Sequence, residues 1–192
     1  MRTRLSTEQR REQLLTIGAG LFAKRPYDEV WIEEVAEIAG VSRGLLYHYF
    51  PTKRDFFAEI VRAECARLLR MSEPDEGVSR LGQLTAGLDV YLDYAQHHAD
   101  GYRVIHRAAA AGDTEIREIR DAGQAANRER VLAGLAELTT IDEMTKLAVR
   151  AWFTFVTAVI LDWLDNPVIA REDLRDLCVR TLFAAVGITP PG

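Results

Sequence analysis

Apolar residues recur three and four positions apart along most of this chain, with polar residues between them. Ser6-Thr7-Glu8-Gln9 offers a capping start, with Gln9 three residues after Ser6. Leu14, Ile17, Gly18, Leu21 and Phe22 then follow at helical spacing. Pro26 ends this first helix near Arg25. A second short helix fits Ile32 to Ala39, closed by Gly40. Ser42 caps a third that runs to about Phe50. Pro51 separates it from a fourth, which starts at Thr52 with Asp55 three residues on and reaches about Leu69. After a polar loop at 72–79, helices fit residues 80–98, 101–110, 114–137, 143–164 and 171–186. Breaks are expected at Ala99-Asp100, Gly112-Asp113, Thr139-Thr140 and Asn166-Pro167. No alternating apolar-polar run, internal repeat or low-complexity tract competes with this pattern. The chain is predicted to be all-α.

Composition narrows the picture. A length of 192 residues at 48% hydrophobic allows one sizeable core, or a small domain fused to a larger one. Net charge is −5, which argues against general polyanion binding. The charge is unevenly spread: residues 1–54 hold nine Arg/Lys and seven Asp/Glu, so +2, and the remainder carries −7. Basic residues cluster at Arg2, Arg4, Arg10 and Arg11, and again at Arg43, Lys53 and Arg54. No charge-free run of about 18 apolar residues is seen, so no membrane span is expected, and the N-terminus lacks the apolar run of a secretory signal. Cys65 and Cys178 are far apart in apolar helical patterns, as expected of core thiols in a reducing cytoplasm.

The stretch "VSRGLLYHYFPTKRDFF", residues 41–57, places four large rings in a row. Two short helices joined by a tight turn at Gly40 have helix-turn-helix spacing. Val35, Ala36 and Ala39 line one side, and Val41, Leu46, Tyr49 and Phe50 meet them. Arg43, Gly44, Tyr47 and His48 fall on the opposite face, where an exposed Arg, Tyr and His suit phosphates and a major groove. Gly44 costs such a helix about 1 kcal/mol relative to Ala. Close approach of a DNA backbone gives a reason to accept it. Lys53 can reach an adjacent phosphate. The same spacing is compatible with a plain three-helix packing unit bearing surface aromatics.

Residues 35–57, "VAEIAGVSRGLLYHYFPTKRDFF", resemble the N-terminal domain of the TetR family of transcriptional repressors. Ala36, Gly40-Val41-Ser42, Gly44, Leu46-Tyr47-His48-Tyr49-Phe50, Lys53 and Phe57 carry the resemblance, and Leu21-Phe22 and Tyr27 extend it to residues 8–60. The resemblance implies three small DNA-reading helices at 1–54 and a larger helical domain at 55–192 that binds a ligand and dimerises. It maps the family's DNA contacts onto Ser42, Arg43, Gly44, Leu45, Tyr47, His48 and Lys53. It also implies a ligand-responsive repressor that binds a palindromic double-stranded operator as a homodimer. Trp31 departs from the pattern, because the family often has a capping Ser or Thr there and indole accepts no such bond. Glu33, Glu34 and Glu37 load the second helix with acid, which favours its N-terminus and repels phosphate. DNA binding is therefore expected to lean on the arm from Arg2 to Arg11.

The later helices suggest two further surfaces. Residues 145–164 are apolar on nearly every face, as in a helix that packs on its own core and on a second subunit. With the final helix, this places a dimer interface at Leu182, Phe183 and Val186, although both helices are also compatible with an ordinary core. Tyr91, Tyr94, His98, Tyr102 and His106, with Trp152, Phe155 and Val159, fit a mostly apolar effector pocket or core positions. The fourth helix is expected to carry the coupling from ligand to DNA.

No metal site is expected, since His97 and His98 point apart and no carboxylate or thiol lies at ligand spacing. No cofactor is expected either. A phosphate-cradling Gly loop, H-E-x-x-H and G-x-S-x-G are all absent, which leaves little support for an enzyme.

Overall fold

A computed structural model of the chain describes residues 5–75, 77–110 and 113–188, with the backbone only at 107–110. Arg2 and Arg4 of the expected arm, and Gly112 of the expected break, lie outside the described residues. The helices are α1 (Thr7–Lys24), α2 (Ile32–Ala39), α3 (Arg43–Tyr49), α4 (Lys53–Met71), α5 (Arg80–His97), α6 (Ala99–Ala110), α7 (Thr114–Leu135), α8 (Glu143–Asp165) and α9 (Arg171–Ala185). No strand occurs among the described residues. The break between α5 and α6 is the single residue His98, earlier than the expected Ala99-Asp100. A 3-10 turn at Tyr27–Glu29 was not anticipated.

Local chemistry sets the helix ends. The Ser6 hydroxyl accepts from the Gln9 amide at 3.2 Å, and the Gln9 side chain accepts from the Ser6 amide at 2.9 Å. Gly40 ends α2 at φ 65°, a left-handed conformation that glycine adopts without penalty, and the Val41 amide bonds back to Ala36. Ser42 caps α3 by accepting from the Leu45 amide. Thr52 and Asp55 exchange side-chain bonds to each other's amides ahead of α4. Asp142 caps α8 by accepting from the Thr145 amide at 2.8 Å.

The chain forms two compact units. One takes in the chain up to Ala66 together with His98–Asp121, and the other takes in Arg67–His97 and the chain from Ala122 onward. In the first unit, Leu14, Phe22, Val35, Leu46, Phe50, Phe56, Val61 and Ile116 form the core. Phe50 and Phe56 lie 4.7 Å apart between ring centroids, and Phe22 meets Phe57 edge-on at 5.0 Å. At Gly18 a β-carbon would stand 2.3 Å from Phe56 Cζ, so only glycine lets α1 approach α4 this closely. Helix α6 also packs on α1: a β-carbon at Gly101 would sit 3.7 Å from that of Ala23. Arg11 pairs with Glu59 and lies over the Phe50 ring, so this arginine joins α1 to α4. It is not the free arm residue expected from the sequence.

In the second unit α8 and α9 pack on each other and on α5. The Trp152 indole N–H donates to the Cys178 carbonyl at 2.8 Å, and that of Trp163 donates to the Ile169 carbonyl at 2.9 Å. Asp89 on α5 accepts from Arg175 at 3.2 Å and lies 3.5 Å from Arg171.

One expectation needs correction. Leu182 and Phe183 are 1% and 3% exposed, already enclosed within their own chain, and only Val186 is half-exposed. The reason is periodicity: Leu174, Cys178 and Leu182 form the inward stripe of α9. An apolar stripe that remains open runs along α8, where Met144 is 70% exposed and Leu147, Ala151, Thr154 and Ala158 continue outward along the helix. This helix is also long and apolar enough to cross a membrane by length and composition, against the expectation of no such segment.

Candidate nucleic-acid interface

Helices α2 and α3 meet through Val35, Ala36 and Ala39 on one side and Leu46 and Phe50 on the other, all buried. This contact fixes which way α3 presents its remaining side chains. Ser42, Arg43, Gly44, Leu45, Tyr47 and His48 are exposed together on its outer face, and Tyr49 is half-buried. The split of the four rings between core and solvent therefore follows the helical period.

Lys53 opens α4 beside this face. Its ammonium sits 4.5 Å from the centroid of the Tyr27 ring and 3.5 Å from the Asp28 carbonyl. The aromatic face holds the amine by charge–quadrupole attraction. Gly44 has no internal reason to be glycine. Its φ is not positive, and a β-carbon there would meet nothing within 4 Å.

Acid from α2 reaches the same face. The Tyr47 hydroxyl donates to the Glu33 carboxylate at 2.7 Å, and Arg43 Nη2 stands 3.9 Å from Glu37. The Tyr47 bond holds the Glu33 carboxyl below its ordinary range, and the same bond pushes the Tyr47 phenol up. Glu34 is turned away to Arg25, with which it pairs. Trp31 stands at the N-cap of α2 without a side-chain capping bond and is 69% exposed. The sequence marked the acid on α2 but not its partners. The signal was there, since Glu33 and Glu37 are four apart and share one face.

The residues expected to line an effector pocket divide between the two units. Tyr91, Tyr94, Trp152, Phe155 and Val159 belong to the second unit, where Tyr94 and Trp152 are buried and the other three half-buried. Trp152 is committed to α9 through its bond to Cys178. His98, Tyr102 and His106 belong to the first unit. There Tyr102 and His106 pack with ring centroids 4.2 Å apart, both buried. His106 Nδ1 accepts from Arg120 at 3.0 Å, a partner the sequence did not suggest because Arg120 sits in the polar pattern of α7. Among the described residues, no group of three or more His, Cys, Asp or Glu is arranged to hold a metal ion.

Comparison with known proteins agrees with this geometry. Residues 14–60 match the family described as bacterial regulatory proteins, tetR family, and residues 81–185 match the tetracyclin repressor-like C-terminal domain. The transcriptional activator FasR of Mycolicibacterium smegmatis is 30% identical over 105 residues, 53% of this chain and 48% of that protein. The repressor KstR2 of Rhodococcus jostii is 42% identical over 53 residues, 28% of this chain and 26% of its own length. The chain thus spans about half or less of these curated relatives. A solved tetR-family regulator from Streptomyces coelicolor superposes with a TM-score of 0.84 at 29% identity, over 95% of this chain and 82% of that one. Members are DNA-binding regulators rather than enzymes, and the relatives include both activators and repressors. Both family models, the helix-turn-helix geometry and the superposition over 95% of this chain lead to one assignment: the chain belongs to the TetR family of bacterial transcriptional regulators.

Proposed function

We propose that this regulator is a ligand-responsive cytoplasmic repressor that binds a palindromic operator as a homodimer and leaves it when a small, largely apolar effector binds. The observation that carries the DNA role is the exposed row from Ser42 to His48 on α3, flanked by Lys53. Arg43 reads a base edge, and Ser42, Tyr47, His48 and Lys53 hold phosphates. Leu45 offers an apolar contact to a thymine methyl, and Gly44 admits the backbone. The reading head is residues 1–54, and residues 55–192 serve effector binding and dimerisation.

The dimer is supported by the open apolar stripe of α8. Met144, Leu147, Ala151, Thr154 and Ala158 leave an unpaired seam that a second copy covers by twofold symmetry. Small residues along this seam allow close helix approach. Two reading heads then enter successive major grooves about 34–36 Å apart.

Effector response is supported by packing within the first unit. An effector lying against Tyr102 and His106 on α6 favours a displaced α6, and α6 rests on α1 beside Gly101 and Ala23. Ligand binding shifts the equilibrium toward a head geometry that no longer fits the operator. Helix α6 joins α4, the coupling element expected from sequence, in this role.

The test is a salt-dependent gel shift on DNA flanking the protein's own gene, with random DNA as competitor. Sequence-selective retardation is expected. Equal affinity for both DNAs would refute the operator role. A reporter that rises when the gene is deleted confirms repression, and one that falls reverses the sign to activation.

A further inference from the structure

The Arg120 guanidinium on α7 is short of partners. Its Nη1 donates to His106 Nδ1 at 3.0 Å. An arginine donates only, so Nδ1 accepts and His106 is the neutral tautomer with its proton on Nε2. Burial, and then the Arg120 charge, push the His106 imidazole down to about 3, so it remains neutral at physiological pH. Among the described residues, the one carboxylate within 4.0 Å of Arg120 is that of its chain neighbour Asp121, at that limit and half-exposed. Arg120 Nε is shielded from solvent and has no hydrogen-bond partner. A mostly buried cation facing a neutral ring and a thin acidic contact is costly to keep. A buried donor left unmade adds to that cost.

The geometry of the remaining donors is specific. Nη1 is occupied, whereas among the described residues Nε has no hydrogen-bond partner and Nη2 comes no nearer than 4.0 Å to the Asp121 carboxylate. The edge formed by Nε and Nη2 carries two parallel N–H groups and matches the two oxygens of one carboxylate. A single guanidinium compensates a single negative charge, which favours a carboxylate over a doubly charged phosphate. Beside it, the paired rings of Tyr102 and His106 give an apolar wall, and the Arg120 side chain keeps 21% of its surface open as an entry.

We infer that the effector is an amphiphile with a carboxylate head, and that Arg120 binds that head through its Nε–Nη2 edge. This rests on the effector response proposed above and names its chemistry. Because Nε is shielded, the carboxylate reaches it only as the covering side chains give way. His106, held by the same guanidinium, is on α6, so the displacement passes to the helix that packs on α1.

The test uses the full-length protein with dodecanoate and dodecanol, which share a chain and differ in the head. Binding is followed by calorimetry and operator release by fluorescence anisotropy. Dodecanoate is expected to bind about tenfold or more tighter than dodecanol, and Arg120→Gln to equalise the two. Arg120→Lys keeps the charge without the two-pronged edge, and is expected to lose most of the preference while melting like the wild type. If Arg120→Gln fails to fold, Arg120→Lys alone decides the matter. Equal binding of acid and alcohol, with release by both, overturns the carboxylate assignment and leaves the apolar-effector response standing. A preference that survives both substitutions places the head elsewhere and also overturns it. Failure of both probes to bind a protein that still holds its operator overturns the carboxylate amphiphile and the apolar effector together.

Discussion

The Tyr47 hydroxyl on the reading helix donates to the Glu33 carboxylate on the helix behind it, at 2.7 Å. A residue proposed to touch phosphate is thus held by an acid that repels phosphate. The bond fixes the ring in one orientation before DNA arrives, which lowers the ordering cost of a correct contact. The carboxylate simultaneously penalises any duplex that approaches without rewarding base contacts. Glu33→Gln is expected to raise affinity for random DNA severalfold and to narrow the ratio of specific to random binding. Competition gel shifts at fixed salt measure both. An unchanged ratio would show that the acid is a bystander.

Gly44→Ala separates stability from binding. Alanine adds up to about 1 kcal/mol to a helix interior, and a β-carbon there meets nothing within 4 Å. The variant should melt at or above the wild-type temperature yet bind its operator more weakly. Calorimetric melting and anisotropy titration check the two halves. Wild-type operator affinity in this variant would mean that DNA does not approach α3 there.

Lys53 and Arg43 should fail differently. Lys53→Ala weakens binding to all sequences alike and lowers the salt slope by about one. Arg43→Ala relaxes discrimination at one base position per half-site, by about 1–3 kcal/mol if its partner is guanine. Salt titrations and a panel of single-base operator variants distinguish the roles.

The α8 seam predicts an assembly phenotype without unfolding. Leu147→Glu, on an exposed position, should yield a folded monomer in sedimentation with an undiminished helical spectrum. Leu182→Asp, which buries an unpaired charge inside the chain's own core, should instead lose several kcal/mol of stability. A dimeric Leu147→Glu protein would remove α8 from the interface.

His106 should make stability depend on pH. Its folded pKa, about 3, lies below the ordinary value of 6.5, so the unfolded chain takes up the proton first. The contribution of neutral His106 is complete above pH 6.5 and is lost as pH falls toward 3, with a slope of at most about 1.4 kcal/mol per pH unit. Arg120 faces the ring from α7 and Tyr102 lies over it, and His106→Leu should flatten that limb of the melting curve. An unaltered slope in His106→Leu would assign the acid limb to other groups.

Much of the fold was legible because its signals are local. Ser6, Ser42 and Thr52 begin helices by accepting from amides three residues on, Gly40 ends α2 by donating its own amide to carbonyls three and four residues back, and those spacings are written in the chain. The outward set on α3 was legible for the same reason, since Leu46 and Phe50 fix the inward face. What could not be read were pairings across helices. Nothing in periodicity says that Arg120 reaches His106, or that Arg11 spends its charge on Glu59. The interface expectation at Leu182 and Phe183 failed because a wholly apolar helix pair does not reveal which stripe is inside. The exposed α8 stripe of small and long apolar residues supplies the answer only once α5 has taken the other face.

The DNA-reading half of the molecule is not contiguous in sequence. Ile116 is fully enclosed in the same core as Leu14 and Phe56, and Val104 and Ile105 lean on that core. A ribosome delivers Arg43 and Tyr47 early, but the core behind them closes only after more than sixty further residues have emerged, which takes on the order of seconds. A nascent chain stalled or cleaved near the end of α4 therefore displays the recognition motif on an open hydrophobic trench. Vectorial synthesis thus delays a closed core behind α3 until α6 and the start of α7 have also been made.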